Sequence, residues 1–263
     1  VAARFGIEKD GIVFLIHSGS RGLGHQVCDD FLAVMGKAMD RYGISVPDRQ
    51  LACAPLSSAE GNRYLGAMAA AANFAWANRQ VMTSLAARCF ERVLGASPGD
   101  VGVSLLYDVC HNIAKIETHA IDGARERLCV HRKGATRAFG PGRAEVPAAY
   151  RDLGQPVLIP GDMGRGSYVL VGTDRAMRDT FGSSCHGAGR RMSRARAKKA
   201  GRGRDLVAEM AERGVSVMAH GRHALAEEMP DAYKDVSEVV EVMDRAGISR
   251  KVARLRPLGV IKG

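Results

Sequence analysis

His17 directly follows the apolar run at residues 11–16 (GIVFLI) and opens the turn Ser18-Gly19-Ser20-Arg21-Gly22. His111 follows a second strand-like run, inside Cys110-His111-Asn112. An imidazole projecting from a strand end suits a metal ion, because the strand fixes the backbone and the loop leaves a coordination position open. His25 and His119 lie eight residues beyond these two, at positions expected on the following helices. Histidines that cap helices or bond backbone at a core edge would show the same spacing. The chain has neither a His-Glu-x-x-His nor a Cys-x-x-Cys pattern, so both readings stand side by side.

Two glycine-rich turns point to phosphate. Gly19, Gly22 and Gly24 surround Ser18, Ser20 and Arg21 just before a helix, and Gly187 and Gly189 do the same beside Arg190. Backbone N–H groups at such a turn bind anions, and an arginine can grip a phosphate with two hydrogen bonds. Neither turn matches the GxxxxGK[ST] pattern. Between the two lie further chemical options at Cys185-His186. The thiol is a possible nucleophile, His186 is a possible nucleophile toward phosphorus, and His186 that only orders its own loop is equally compatible with the pattern. Residues 190–204 then hold eight Lys and Arg and no acid. A solvated helix face is the ordinary fate of such a run, and an RNA-backbone surface is the sharper reading. With 5% aromatic residues overall, recognition is expected through phosphates rather than base stacking.

The elements that must carry these residues follow from hydrophobic spacing. Residues 11–16 read as a buried strand, and Val27, Phe31, Val34, Ala38 and Tyr42 form the apolar stripe of a helix. Ser57-Ser58-Ala59-Glu60 reads as a capping box opening a long helix over 59–94, which contains the stretch NFAWANRQ. Residues 99–108 read as a turn and a strand, 128–131 as a short strand running into the loop RKGATRAFGPG. Strands at 157–159 and 168–171 flank the loop PGDMGRG, and the second glycine turn enters a basic helical segment, 190–204. Helices at 206–213 and 237–246 and a final strand in RPLGVIKG complete the chain. Strands and helices do not alternate regularly, so the expected class is α+β, a single large mixed domain over residues 1–263 with its active site at strand-end loops.

Composition bounds the partners. The 263 residues carry 38 Lys and Arg against 28 Asp and Glu, a net charge of +10 that favours an anionic ligand. Hydrophobic residues reach 46%, enough for a core, and 31 Gly against nine Pro without a fixed period exclude collagen. No apolar run reaches the roughly 18 residues of a membrane span. The nearest, residues 67–77, is mostly alanine and lies between Arg63 and Arg79. The six cysteines are scattered, as in reduced cytosolic proteins, so a cytoplasmic location without membrane partners is expected.

The motifs HSGSRGLGHQ, HNIAK, VHRKGATRAFGPG, PGDMGRGSYVLVG, SCHGAGR and the terminal VIKG resemble, in order and approximate spacing, those of the RtcB family of GTP-dependent RNA-splicing ligases. The resemblance covers essentially the whole chain. It implies joining of RNA ends that carry a 2′,3′-cyclic phosphate or 3′-phosphate to ends with a 5′-hydroxyl, with GTP as co-substrate and manganese in a two-metal site. In that reaction a histidine becomes guanylylated, passes GMP to the RNA 3′-phosphate, and the 5′-hydroxyl displaces it. By motif match His186 is the nucleophile, and His17 and His111 are metal ligands. Lys133, Ser167, Ala188, Gly189, Arg190, Tyr233 and Lys262 match guanylate-binding positions. Asp162 stands at a further nucleotide-contacting position where some members carry Ser. Arg21, Arg190 and Arg194 match positions that hold RNA phosphate, and Cys185 becomes a bystander.

The resemblance also implies what is missing. The family's Asp-x-Gly-Cys-Gly and Gly-Asn-His-Phe elements, which supply further metal ligands and a phosphate contact, do not occur in these residues, and the chain opens on Val-Ala-Ala-Arg. The expectation is an N-terminally truncated domain with weak metal binding and weak ligation. The alternative is a catalytically incomplete RNA- or nucleotide-binding module. The RNA substrate, tRNA halves or other broken RNA, and any activating protein partner are left open.

Overall fold

The computed structural model describes residues 1–219 and 221–262. The chain is α+β and divides into two compact units, one made of Phe14–Ala114 and the other of Val1–Val13 with Lys115–Gly263. Among the described residues no helix is long and apolar enough to cross a membrane.

The Phe14–Ala114 unit is built on two helices, α1 (Arg21–Tyr42) and α2 (Ala59–Leu94), followed by the single turn α3 (Pro98–Val101). Alanine-rich sequence keeps α2 helical over 36 residues at little cost in side-chain entropy. Small residues also let α1 and α2 pack together: the buried positions are Met35 and Ala38 on α1, and Ala71 and Ala75 one turn apart on α2. Ser58 caps α2 by accepting the Gly61 N–H at 3.0 Å. The cap is thus Ser58 and not Ser57, which puts Gly61 at the third helical position, so the expected capping box does not form. The Glu60 carboxylate instead binds Arg41 and Tyr42.

Two strand expectations in this region fail. Residues 11–20 have no regular secondary structure, and Ile12, Val13, Phe14 and Leu15 are 38–69% exposed. Residues 103–110 are likewise irregular. An apolar run becomes a strand only where a neighbouring backbone takes its N–H and C=O groups in a regular ladder, and among the described residues neither run belongs to a sheet.

The second unit starts with β1 (Asn112–Ile121) and β2 (Ala124–Lys133), joined through Asp122 and Gly123, both at positive φ. That Asp-Gly pair is a hairpin-turn signature, and it places His119 on a strand rather than on the expected helix. The strand β3 (Ala135–Arg137) pairs antiparallel with β6 (Ser183–Cys185), Ala135 opposite Cys185. A three-stranded antiparallel sheet is centred on β5 (Ser167–Gly172), between β4 (Pro156–Ile159) and β8 (Ser249–Leu255). The short helix α4 (Asp174–Asp179) follows β5.

Two apolar cores result. Val157, Ile159 and Leu170 of the sheet meet Val236 and Val240 of α8 (Val236–Arg245), together with Ala138 and Ala188. Met163, Ala197, Leu206, Met210 and Met229 form the other, among α5 (Arg194–Ala200), α6 (Leu206–Glu212) and α7 (Arg222–Glu227). The strand β7 (Ser216–Ala219) runs parallel to the final strand β9 (Gly259–Lys262). Only Arg194–Ala200 of the basic segment is helical, since Ser193 is the N-cap and accepts the Arg196 N–H at 3.2 Å. Residues 186–193 stay in a loop, apart from an isolated bridge between Arg190 and Tyr233.

The loop PGDMGRG closes on itself so tightly that a β-carbon at Gly161 would overlap the Gly166 carbonyl, and Gly166 has φ +122°. Gly161→Ala is therefore expected to cost about 1–3 kcal/mol or more through forced backbone displacement, read as a lowered urea midpoint. A midpoint equal to that of the unaltered chain would contradict this loop geometry.

Candidate functional site

Within the Phe14–Ala114 unit, the Nε2 atoms of His17 and His111 lie 3.0 Å apart, with ring planes at 75°. His111 immediately precedes β1 instead of ending a strand, and His17 lies on irregular backbone. Their approach is thus set by something other than strand ends, and the agent is α2. Asn78 donates from Nδ2 to Ser18 Oγ and to the Gly19 carbonyl, both at 3.1 Å. Arg79, 9% exposed, donates Nη1 to the Ser18 carbonyl at 3.0 Å and Nε to both Asp108 oxygens at 2.9 and 3.1 Å. Its Nη2 reaches Asp108 at 2.7 Å and the Cys110 sulfur at 3.7 Å. One guanidinium thereby binds the residue after His17 and the residue before His111. The asparagine-arginine pair inside the alanine-rich NFAWANRQ stretch was the available sequence signal.

Two imidazole nitrogens this close are donors of the kind borderline divalent ions accept. Among the described residues no group of three or more His, Cys, Asp or Glu is arranged to hold a metal. Arg21 stands exposed on the same turn with φ +50°, an unusual conformation for a non-glycine residue. His25 pairs with Asp29 at the surface, at 3.5 Å.

In the other unit, β6 delivers Cys185 and then His186. A side chain at Gly134 (φ +69°) would come within 3.6 Å of His186 Nε2, so the backbone after Lys133 lies against the imidazole. Lys133 itself is exposed at the end of β2. Burial pushes the Cys185 thiol up, which keeps it protonated and disfavours a thiolate nucleophile. The 181–183 segment before His186 is clamped by Arg132, which donates to Ser183 Oγ at 3.0 Å and to the Phe181 carbonyl at 2.9 Å. Arg132 is in turn held by Glu117 at 2.8 and 2.9 Å, and Glu117 also contacts His119 Nε2 at 3.1 Å. Burial alone would raise the Glu117 carboxyl, but Arg132, the His119 bond and the more distant Arg137 charge hold it below the ordinary range.

The loop after His186 builds a second cluster. Ala188 is buried in the sheet core, which anchors the loop. Gly189, at φ +73°, accepts the Lys234 N–H at 3.1 Å. Arg190 then stacks on the Tyr233 ring at 4.8 Å, donates to its hydroxyl at 2.8 Å, and donates to the Glu227 carbonyl at 2.6 Å. Glu228 joins the group: it accepts from Tyr233 at 2.5 Å and faces Arg190 at 3.5 Å and Lys262 at 3.6 Å. Burial, reinforced by the Glu228 hydrogen bond, pushes the Tyr233 phenol up to about 12, so it remains a neutral donor. Three residues matched separately in sequence are thus brought together by Glu228, which the sequence reading missed because a lone glutamate carries no motif.

Ser167 and Asp162 turn inward to the PGDMGRG loop. Ser167 Oγ accepts the Gly161 N–H at 3.2 Å. The fully covered Asp162 carboxylate accepts from the Gly164 and Arg165 N–H groups and from the Arg165 guanidinium, each at 2.9 Å. Arg194 pairs with Glu227 at 3.3 Å.

Two outcomes follow from these clamps. Arg79→Met strands Asp108 and is expected to cost about 2 kcal/mol, and to separate His17 from His111 in imidazole NMR spectra. Adding Asp108→Leu should restore stability without restoring the pair, and a pair that survives both changes would refute the positioning role. The depressed Glu117 carboxyl contributes stability that is complete above its unfolded-state value and disappears as pH falls through its folded-state value. Urea midpoints taken from roughly pH 6 down to 3 should therefore fall less steeply for Glu117→Gln than for the unaltered chain.

The family model described as tRNA-splicing ligase RtcB matches residues 1–263. A protein of Archaeoglobus fulgidus named tRNA-splicing ligase RtcB is 59% identical over 263 residues, covering all of this chain and 55% of that protein. The Methanococcus maripaludis protein of the same name is 51% identical over 262 residues, again all of this chain and 55% of that protein. The one from Pyrococcus furiosus is 53% identical over 264 residues, all of this chain and 27% of that protein. The chain spans about half the length of the first two relatives and about a quarter of the third. A match over every residue of this chain, at identities above one half, leaves a single assignment: the chain belongs to the RtcB tRNA-splicing ligase family.

Proposed function

We propose that this chain carries the nucleotidyl-transfer part of a GTP-dependent RNA ligase, with His186 as the nucleophile. The observation that carries the reading is the β3–β6 register, which pairs Ala135 with Cys185, so that Gly134 lies against the His186 imidazole. In this reading an imidazole nitrogen attacks the α-phosphorus of GTP, a nitrogen–phosphorus bond forms, and the bond to the β-phosphate breaks with release of pyrophosphate. The GMP then moves to an RNA 3′-phosphate oxygen and regenerates the imidazole. A 5′-hydroxyl attacks the activated phosphorus, closing the phosphodiester and releasing GMP. Lys133 provides positive charge for the departing phosphates. The neutral Tyr233 phenol, Lys262 and Arg190 provide donors for the nucleotide. Ala188 and Gly189 give a rigid, side-chain-poor backbone against which it lies, and Ser167 and Asp162 hold the neighbouring loop in shape. Arg21, Arg190 and Arg194 contact RNA phosphate. A divalent ion such as manganese, held in part by His17 and His111, would supply charge neutralisation on phosphate when bound.

The acid-free basic run at residues 190–204 also fits a second reading, a module that binds RNA or nucleotide without completing ligation. Incubation with α-labelled GTP and Mn²⁺ separates the two. The ligase reading expects acid-labile label on the protein, reduced to background by His186→Ala, and joining of 3′-phosphate to 5′-hydroxyl RNA on a denaturing gel. RNA retention without label would favour the module.

A further inference from the structure

The basic run at 190–204 is not a uniform cationic face. Arg190, Arg194, Lys198 and Arg204 have acidic partners: Glu228, Glu227, Glu227 again at 2.6 Å, and Glu209 together with Asp231. Among the described residues Arg191, Arg196, Lys199 and Arg202 have none. Uncompensated charge therefore sits on four of the eight positions, and two of these, Arg191 and Arg196, face a common cavity of about 330 Å³ whose other lining residues are Arg165, Met192 and Asp231.

The walls of this cavity are tied to each other. The Arg191 N–H donates to the Ala232 carbonyl at 2.8 Å, and Met192 N–H donates to the same carbonyl at 3.3 Å. Arg165 reaches the Pro230 carbonyl at 3.1 Å while its charge is met by Asp162. Asp231 pairs with Arg204 at 2.8 Å, a guanidinium that it shares with Glu209. The cavity lining thus holds three arginines against one acid, and Arg191 and Arg196 leave surplus positive charge on its wall. Planar guanidinium forks match phosphate oxygens with paired hydrogen bonds. The volume lies at the low end of small-ligand pockets, about 300–1,000 Å³, room for one phosphate with its sugar.

We propose that this cavity is a phosphodiester subsite that holds one backbone phosphate of an RNA strand through Arg191 and Arg196. The proposal rests on the RNA-binding part of the function argued above and adds a contact that the motif matches do not include. Arg191 directly follows Arg190, so a strand whose end lies at the His186–Arg190 loop has its next phosphates near the cavity. The same chemistry would also accept the polyphosphate of a nucleotide, and the two sources respond differently to one set of variants.

The test uses the full chain, a fluorescent 12-nucleotide RNA with a 3′-phosphate, and a fluorescent GTP analogue, each titrated at several salt concentrations. The double variant Arg191→Ala/Arg196→Ala is expected to weaken RNA binding by roughly tenfold or more and to flatten the logarithmic salt slope by about 0.7, one single-strand phosphate contact. Binding of the GTP analogue should not change. Lys199→Ala/Arg202→Ala removes the same charge from outside the cavity and should weaken RNA binding markedly less. Equal losses from the two double variants, or a loss of GTP-analogue binding in place of RNA binding, would overturn the subsite. Absence of RNA binding by the unaltered chain would overturn the RNA reading itself, and the subsite with it.

Discussion

A guanidinium can be buried only where a carboxylate and backbone carbonyls replace the water it gives up, and this chain meets that demand repeatedly beside its glycine-rich loops. Arg132, 3% exposed, is satisfied by Glu117 on the neighbouring strand and by the backbone of residues 181–183. Arg79 is satisfied by Asp108 and the Ser18 carbonyl, Arg165 by Asp162 and the Pro230 carbonyl, Arg190 by Glu228 and the Glu227 carbonyl. Each arginine has several donors in a fixed plane, so meeting them all ties two or three segments into one arrangement. The glycine-rich loops, which have little side-chain packing of their own, take their shape from these partners.

The same accounting changes the meaning of the positive charge. A net +10 describes the chain as a whole, but the local field depends on which cations have acids beside them. Half of the Lys and Arg in residues 190–204 have such partners, contributed by α7 and the turn after it and by α6. Arg190 is therefore held in place by the Tyr233 ring and Glu228. Among the described residues the cations of this run without an acid beside them are Arg191, Arg196, Lys199 and Arg202, and the first two line the cavity.

Much of the architecture was legible because its causes are local. The long helix α2 coincides with the expected 59–94 segment, since alanine-rich sequence, a serine cap and a terminal glycine all act within a few residues. The strands flanking PGDMGRG were equally plain, from apolar runs interrupted by glycine. The failures are informative in the same terms. Residues 11–16 and 103–108 have the composition of strands, yet pairing is a property of a partner backbone, which composition does not contain. The β1–β2 hairpin has its local signal at Asp122-Gly123, but its strands, with Lys115, Glu117, Arg125, Glu126 and Arg127, lack the apolar alternation that marks a strand.

For the candidate site the division is sharper. Sequence by itself determined the chemical inventory: which histidines, glycines and arginines occur, in what order, and that their motifs match one family along the entire chain. The tertiary structure alone decided that His17 and His111 meet at 3.0 Å, that Glu228 gathers Arg190, Tyr233 and Lys262, and that Asp162 is spent on its own loop. The physical reason is that these contacts join residues dozens of positions apart. Their existence depends on how buried charges are compensated across segments, and no spacing along the chain encodes that compensation.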